Sequence, residues 1–404
     1  MNVNKSYDIL SIREYFPSKE NPSTSTWVFN QASGVQENGI EPLIVSPTPY
    51  YPNFLNKFFN NKRLLRTKPN LSIEEYNGVK VIRPPYLKLP NEYFLHSNLS
   101  RFSKASILAT KDFTFKAIHA HFGHAGVASV KLKQNRKIPL ITSFYGFDLG
   151  SDKLPLLRKY KELANSGDLF LALSMDMHKD LVELGFPESK ILIHHLGVNF
   201  TQFFPKLNTN TNKGAPFTFL IVASFEERKG IHVAIEAFKW ISTNYTTKNI
   251  QLRIVGDGPY KNNLLALANG FNNIVFVNNF TASNPRLLVQ QEMQNCDVFM
   301  LPSVTLDNGE KEGTPVVLME AQACGKPCIS TFHAGIPEVV VHNETGLLVK
   351  EKSVSELVDT MALFINNNAL VFEMGDKAHK HVRLNFNNQT QNKILSDLYL
   401  SIIK

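Results

Sequence analysis

Two glutamates, Glu312 and Glu320, lie eight positions apart in the stretch EGTPVVLME. A helix start falls between them. Thr314 is a good N-cap, and Pro315 suits the first helical position, where its missing N–H is no loss. The amides of Val316 and Val317 then point out of the helix end without partners. That end carries partial positive charge and suits a phosphate or another anion. Glu312 sits in the loop just before the helix, separated from the cap by Gly313. Glu320 lies nearly two turns in, on a helix otherwise built from Val316, Val317, Leu318, Met319 and Ala321. A carboxylate there is costly unless it is paired or faces a cleft. The spacing also fits an ordinary helix with one capping acid and one acid paired inside.

Other groups are placed to do chemistry. Arg228-Lys229-Gly230 follows the apolar run 217–223 and precedes the helical pattern IHVAIEAF. Between a buried strand and a helix, two cations can meet an anion, although the same tripeptide is most often a solvated turn. The segment IHAHFGHAG carries His119, His121 and His124, the first two on one face of a strand. His-x-His-x-x-His is open to a metal reading, but no acidic ligand accompanies it. Gly123 and Gly126 predict a strand ending in a tight turn before a helix. We therefore expect a strand end that touches substrate through His121 or His124, no bound metal, and a buried, hydrogen-bonded His119. Downstream, the strand 138–144 ends in YGFD, where Asp148 either binds ligand hydroxyls or caps the next segment.

The elements carrying these groups alternate. In the first half, 7–12, 42–46, 79–83, 138–144, 168–174 and 190–194 read as strands, with another entering the histidine segment at 118. The segments 27–38, 154–166 and 175–184 read as helices. In the second half, strands at 217–223, 251–255, 273–277, 297–301, 326–330 and 343–349 are followed by helices at 354–364, 369–384 and 390–403. The run 217–223 is nearly all apolar, as a parallel strand covered on both faces requires. About six strands per half predict an α/β fold of two doubly wound, Rossmann-like parallel-sheet domains facing one cleft. The GxGxxG fingerprint is absent, which weakens a nicotinamide or flavin reading.

Composition narrows the partners. A chain of 404 residues, 43% hydrophobic, suits two domains with real cores. A net charge of +8 favours anionic partners such as nucleotide diphosphates, lipid phosphates or membrane surfaces; we expect no nucleic acid. Cys296, Cys324 and Cys328 form no CxxC pair and have no zinc-type companions, which suits a reducing cytosol. The N-terminus lacks the apolar core of a signal peptide, and no run of about 20 apolar residues predicts a membrane span. The expected location is cytoplasmic. In the stretch 54–66, Phe54, Leu55, Phe58 and Phe59 recur at helical spacing among Lys57, Lys62, Arg63 and Arg66. It fits a helix packed on the first domain, or an interfacial helix on the inner face of an anionic membrane.

The run 312–320, and the longer LPSVTLDNGEKEGTPVVLMEAQACGKPCISTFHAGIPEVV around it, resembles the paired-glutamate region of retaining, nucleotide-sugar-dependent glycosyltransferases of family 4. The subgroup it is most similar to builds bacterial exopolysaccharides, including colanic-acid-type enzymes. The resemblance implies the two-domain GT-B fold, with 1–199 plus the C-terminal helix 386–404 reading the acceptor and 200–385 reading the donor. It implies that Glu312 holds hydroxyls of the donor sugar, that Glu320 holds the nucleotide ribose, and that Lys229 meets the diphosphate. The family's diphosphate arginine falls on Ser224, and Arg228 is the cation that can supply the lost charge. The family's sugar-contacting histidine falls on Tyr145, whose neutral phenol still donates a hydrogen bond. The candidate catalytic residues are thus Glu312, Lys229 and Tyr145. Arg228, Lys229, Gly313, Thr314, Val316, Val317 and Glu320 surround the donor, and His121 and Asp148 contact sugar or acceptor. The implied reaction uses a UDP- or GDP-sugar as co-substrate, a glycan or lipid-linked acceptor, and neither cofactor nor metal. Two alternatives stand beside it: a catalytically silent binding subunit, and another enzyme of the same fold such as a sugar epimerase or a phosphorylase.

Overall fold

The computed structural model describes residues 6–22, 24–50, 70–89, 95–149, 154–206, 214–245, 248–278 and 284–403. The stretch 54–66 lies outside the described residues. The chain separates into two compact units. One holds the described residues up to Leu149, those from 154 to His195, and those from Asn388 on; the other holds the described residues from Leu196 to Asn387.

The first unit contains β1 (Ser6–Ile12), β2 (Pro42–Val45), β3 (Thr48–Tyr50), β4 (Asn70–Tyr76), β5 (Val79–Arg83), β6 (Pro85–Leu87), β7 (Thr114–His121), β8 (Leu140–Ser143), β9 (Leu169–Ala172) and β10 (Ile191–Ile193). Eight of these form one sheet in the order β10-β9-β8-β7-β1-β2-β5-β4, and β3 pairs with β6. All neighbours in the large sheet run parallel except β4, which is antiparallel to β5. β2, β8 and β9 are buried along their whole length, as parallel strands with helices on both faces must be.

The sheet has one strand, β4, beyond the seven read in this half. The additional edge comes from a hairpin: Asn77 and Gly78 both have positive φ, 47° and 85°, the backbone of a tight two-residue turn joining antiparallel strands. The helix Leu95–Ala109 was also not expected. Two of its four buried positions are Ser103 and Ser106, so its inner face carries a weak apolar signal.

The C-terminal helix Asn388–Ile402 packs within this first unit. Asn392 Nδ2 donates to the Asn30 carbonyl at 3.1 Å, and Tyr399 Oη lies 2.5 Å from His119 Nδ1. His119 Nε2 reaches Ser143 Oγ at 2.7 Å, so this histidine is buried with both ring nitrogens satisfied.

The second unit contains β11 (Phe217–Val222), β12 (Ile250–Val255), β13 (Ile274–Val277), β14 (Val298–Leu301), β15 (Cys328–Thr331) and β16 (Gly346–Val349). They form one all-parallel sheet in the order β13-β12-β11-β14-β15-β16. Phe219, Ile221, Phe238 and Met300 enter the core on one face, and Leu220, Phe299, Leu318 and Cys328 on the other. Burying each such large apolar side chain contributes about 1.5–3 kcal/mol, which makes the strands a rigid base for the loops at their ends. The chain runs outward from β11 through β12 to β13, then crosses back to β14 on the other side of β11 and continues outward to β15 and β16. Loops at the carboxyl ends of β11 and β14 therefore diverge around a crevice, where open α/β sheets bind ligands.

Candidate active site

The charged candidates converge at the carboxyl ends of β11, β14 and β15. After β11 the chain makes a 3-10 turn, Glu227–Lys229, before the helix Ile231–Asn244 starts at Gly230. Gly230 has φ of 65°, and a Cβ there would lie 1.8 Å from the Pro302 carbonyl oxygen, so only glycine lets this turn approach the loop after β14. That loop carries Glu310 and Glu312 and leads into the helix Val316–Ala323.

Arg228, Lys229 and Glu312 come together as one ion-pair group. Arg228 Nη1 donates to Glu312 Oε1 at 2.5 Å, and Lys229 Nζ pairs with Glu312 Oε2. Arg228 Nε also donates to Glu226 Oε2 at 2.8 Å and lies 3.2 Å from Glu310 Oε1. Burial pushes the Glu312 carboxyl up, but Lys229 and Arg228 outweigh it and hold the group below its usual range. Burial likewise works against the charge on Arg228, and Glu312 and Glu226 more than offset it. Breaking a buried pair of this kind by removing one partner costs about 3–5 kcal/mol, because the other charge stays behind.

The backbone of Glu312 is held separately. Its N–H donates to His333 Nε2 at 2.9 Å. An amide can only donate, so Nε2 is the accepting nitrogen and His333 Nδ1 carries the proton, which it gives to Glu351 Oε1 at 2.7 Å. Glu351 Oε2 accepts from the Thr305 amide at 2.6 Å. Burial raises the Glu351 carboxyl, but the Thr305 amide and His333 bring it below its ordinary value. This relay ties β15, the loop after β14 and the residues beyond β16 around one glutamate.

Glu320 is also buried, but its partner is Arg286, whose Nη1 donates to Glu320 Oε1 at 3.0 Å. Burial raises the Glu320 carboxyl, with Arg286 pulling the other way. Arg286 itself lies 5.2 Å over the Phe203 ring. The helix cap differs from the expected one: Pro315 occupies the cap position, with no side-chain cap bond, and Thr314 lies one residue further out, buried. Val316 and Val317 are nonetheless the first two helical residues, whose amides have no acceptor inside the helix.

The remaining candidates form a group in the first unit. Tyr145 Oη lies 2.9 Å from His121 Nδ1, and His121 Nε2 lies 3.1 Å from Ser11 Oγ. Both side chains are buried. Burial pushes the Tyr145 phenol well above its ordinary range and holds His121 well below its own, so both are neutral. Asp148 accepts from the Gly123 amide at 3.0 Å and the Tyr145 amide at 2.9 Å. Oδ2 caps the turn Gly146–Asp148 to which the residue itself belongs, and Oδ1 holds the first amide of the helix Gly123–Arg136, so the observed capping is of these two elements and not of the next segment. Phe122, between β7 and the helix Gly123–Arg136, has φ of 80°, a backbone that costs a non-glycine residue about 1–3 kcal/mol. Its ring lies between the Arg13 guanidinium, 3.8 Å away, and the Tyr145 ring, 4.4 Å away.

Sequence reasoning missed Arg13, Phe122, Glu226, Arg286, Glu310, His333 and Glu351. Of these, Glu310 and His333 lie in the quoted run 301–340, and Phe122 in the histidine segment 118–126. Among the described residues, no group of three or more His, Cys, Asp or Glu is arranged to hold a metal ion, and no helix is long and apolar enough to cross a membrane.

Two Rossmann-like parallel-sheet units, with acids and cations at the strand ends of the second, define the GT-B class of glycosyltransferases. The family model described as "Glycosyltransferase Family 4" matches residues 24–202, and that described as "Glycosyl transferases group 1" matches 203–381. The chain is 34% identical over 287 residues to a glycosyltransferase of Escherichia coli (strain K12) named for colanic acid biosynthesis, covering 69% of each chain. It is 29% identical to the amylovoran biosynthesis glycosyltransferase of Erwinia amylovora, covering 79% of each. In fold it is similar to sucrose-phosphate synthase from Thermosynechococcus elongatus, with a TM-score of 0.79 at 18% identity over 98% of both chains. It is also similar to an Anabaena protein crystallised with UDP-glucose, with a TM-score of 0.72 at 16% identity over 98% of this chain and 100% of that one. The chain belongs to the family 4 glycosyltransferases.

Proposed function

We propose that the chain moves a sugar from a UDP- or GDP-sugar to a glycan or lipid-linked oligosaccharide acceptor during bacterial exopolysaccharide synthesis, with retention of anomeric configuration. The observation that carries this reading is the pairing of Lys229 with Glu312 at the carboxyl ends of β11 and β14. The names of the two bacterial relatives support the pathway.

In the reaction, the bond from the anomeric carbon to the diphosphate oxygen breaks. A bond from the same face to an acceptor hydroxyl forms, and the hydroxyl proton leaves with the phosphate oxygen. Charge builds on the departing diphosphate. Lys229 and the amides of Val316 and Val317 take that charge, a preorganised stabilisation that operates without a metal. Glu312 holds donor-sugar hydroxyls and Glu320 the ribose, and Tyr145 supplies a neutral hydrogen-bonding group. The test is donor turnover across UDP- and GDP-sugars without divalent metal, with the anomeric configuration of the product read by NMR. Turnover within one nucleotide series with retained configuration is expected. An inverted product, or turnover with none of the donors, contradicts the proposal.

Ser224 and Tyr145, which stand where the family pattern has arginine and histidine, favour one second reading: a subunit that binds donor without turning it over. Donor binding with neither hydrolysis nor transfer selects it.

A further inference from the structure

The diphosphate arginine of the family pattern falls on Ser224, and Arg228 is the nearby cation that can replace it. The geometry assigns Arg228 a different task. We propose that Arg228 is a positioning residue that clamps Glu312 and its loop in place, and that it is not a ligand of the donor phosphates. This rests on the reading of the second unit as the donor site.

The guanidinium is already committed on three sides. Its Nε and Nη2 go to Glu226, its Nη1 to Glu312, and Glu310 lies 3.2 Å from Nε. The main chain is committed too: the Arg228 carbonyl accepts from the Val304 amide at 2.8 Å, stitching the turn to the loop after β14. The Leu306 amide closes that loop onto the Glu310 carbonyl at 3.0 Å. The turn and loop are thus joined through backbone and side chain, and Arg228 belongs to both joints.

Electrostatics point the same way. Glu226, Glu310 and Glu312 face two cations, Arg228 and Lys229, so the group carries one negative charge in excess. Turning Arg228 toward a phosphate leaves Glu226 and Glu310 uncovered, and Glu312 held by Lys229 alone, beside an incoming polyanion. Lys229 is differently placed. Its ammonium pairs with the one carboxylate of Glu312, on a flexible stem, and can trade it for a phosphate oxygen. Arg228 then keeps Glu312 in position after Lys229 has left it. The planar fork of arginine suits a clamp with several acceptors, which lysine cannot reproduce.

The test combines calorimetric titration of the full chain with UDP and with GDP and steady-state turnover of the matching nucleotide sugar. Arg228→Gln should keep the diphosphate Kd and donor KM within about threefold while kcat falls by about tenfold or more, with Arg228→Lys restoring part of it. Lys229→Ala should weaken the same Kd by about tenfold. Melting curves check folding, and Glu310→Gln decides the matter should Arg228→Gln not fold. Loosening one jaw of the clamp should lower kcat by about twofold to fivefold. The proposal is overturned if Arg228→Gln weakens diphosphate binding as much as Lys229→Ala does. It is equally overturned if Glu310→Gln leaves kcat unchanged, because Arg228 would then not depend on that carboxylate to hold Glu312. Failure of the wild-type chain to bind either nucleotide overturns the donor-site reading itself, and the clamp falls with it.

Discussion

The two strand-end groups are made of opposite materials. In the first unit, His121 and Tyr145 are neutral, buried and bonded to each other, and Asp148 spends both oxygens on backbone amides. In the second unit, Arg228, Lys229, Glu226, Glu310 and Glu312 are ion-paired. A satisfied neutral network offers little to exchange with a ligand and much to hold a strand end rigid. A set of ion pairs can trade one carboxylate for a phosphate at modest net cost. The contrast suggests a division of labour: shape in the first unit, charge in the second.

The largest effect should come from the charged group. Lys229→Ala or Glu312→Gln should lower turnover by about a hundredfold to a thousandfold, the range for losing one preorganised electrostatic contact. Turnover of purified variants measures this, and full activity in both would break the comparison. Next comes pH. Burial holds His119 at about 3 and His121 well below its ordinary value, and the groups packed around them are Tyr399, Ser143, Tyr145, Ser11, His194 and Arg13. Both histidines stay neutral when folded, while the unfolded chain takes up protons below about pH 6.5. Stability therefore falls as pH drops from there, by about 1.4 kcal/mol per pH unit for each histidine. The depressed Glu312 contributes stability above its unfolded value of about 4.3 and loses it only as pH falls further. Melting curves from pH 7 to 5 should thus report the first unit's histidines, with His119→Gln flattening the slope. A wild-type melting temperature independent of pH in that range would contradict the neutral reading. Smallest is Tyr145→Phe, which removes the bond to His121 and should cost about 1 kcal/mol of stability and less than about tenfold in turnover. A loss as large as that of Lys229→Ala would move Tyr145 from framework to chemistry.

Much of this was legible locally. The apolar run of β11, the helix after Glu312 and the alternation of elements rest on patterns a few residues long. The hairpin at Asn77-Gly78 is legible too, since Asn-Gly between extended runs is a strong turn signal. What stayed hidden were partnerships across distance. Arg286 meets Glu320 from 34 positions away, and His333 meets the Glu312 amide from 21. Nothing in the local pattern at Arg286 distinguishes it from a surface arginine after a helix cap. At Asp148 a capping carboxylate and a ligand carboxylate look alike in sequence until both oxygens are placed. Arg228 was read by its charge, and only its three acid neighbours show what that charge already holds.

The central claim is that the charged group of the second unit receives a nucleoside diphosphate. The most direct measurement is a thermal-shift screen of the full chain against UDP, GDP and their common sugars, without metal, repeated with Lys229→Ala. A ligand that binds only the folded state raises the melting temperature by mass action. The account predicts a clear rise with one nucleotide series, lost in Lys229→Ala. A rise of equal size in the variant, or none in the wild type, would contradict it.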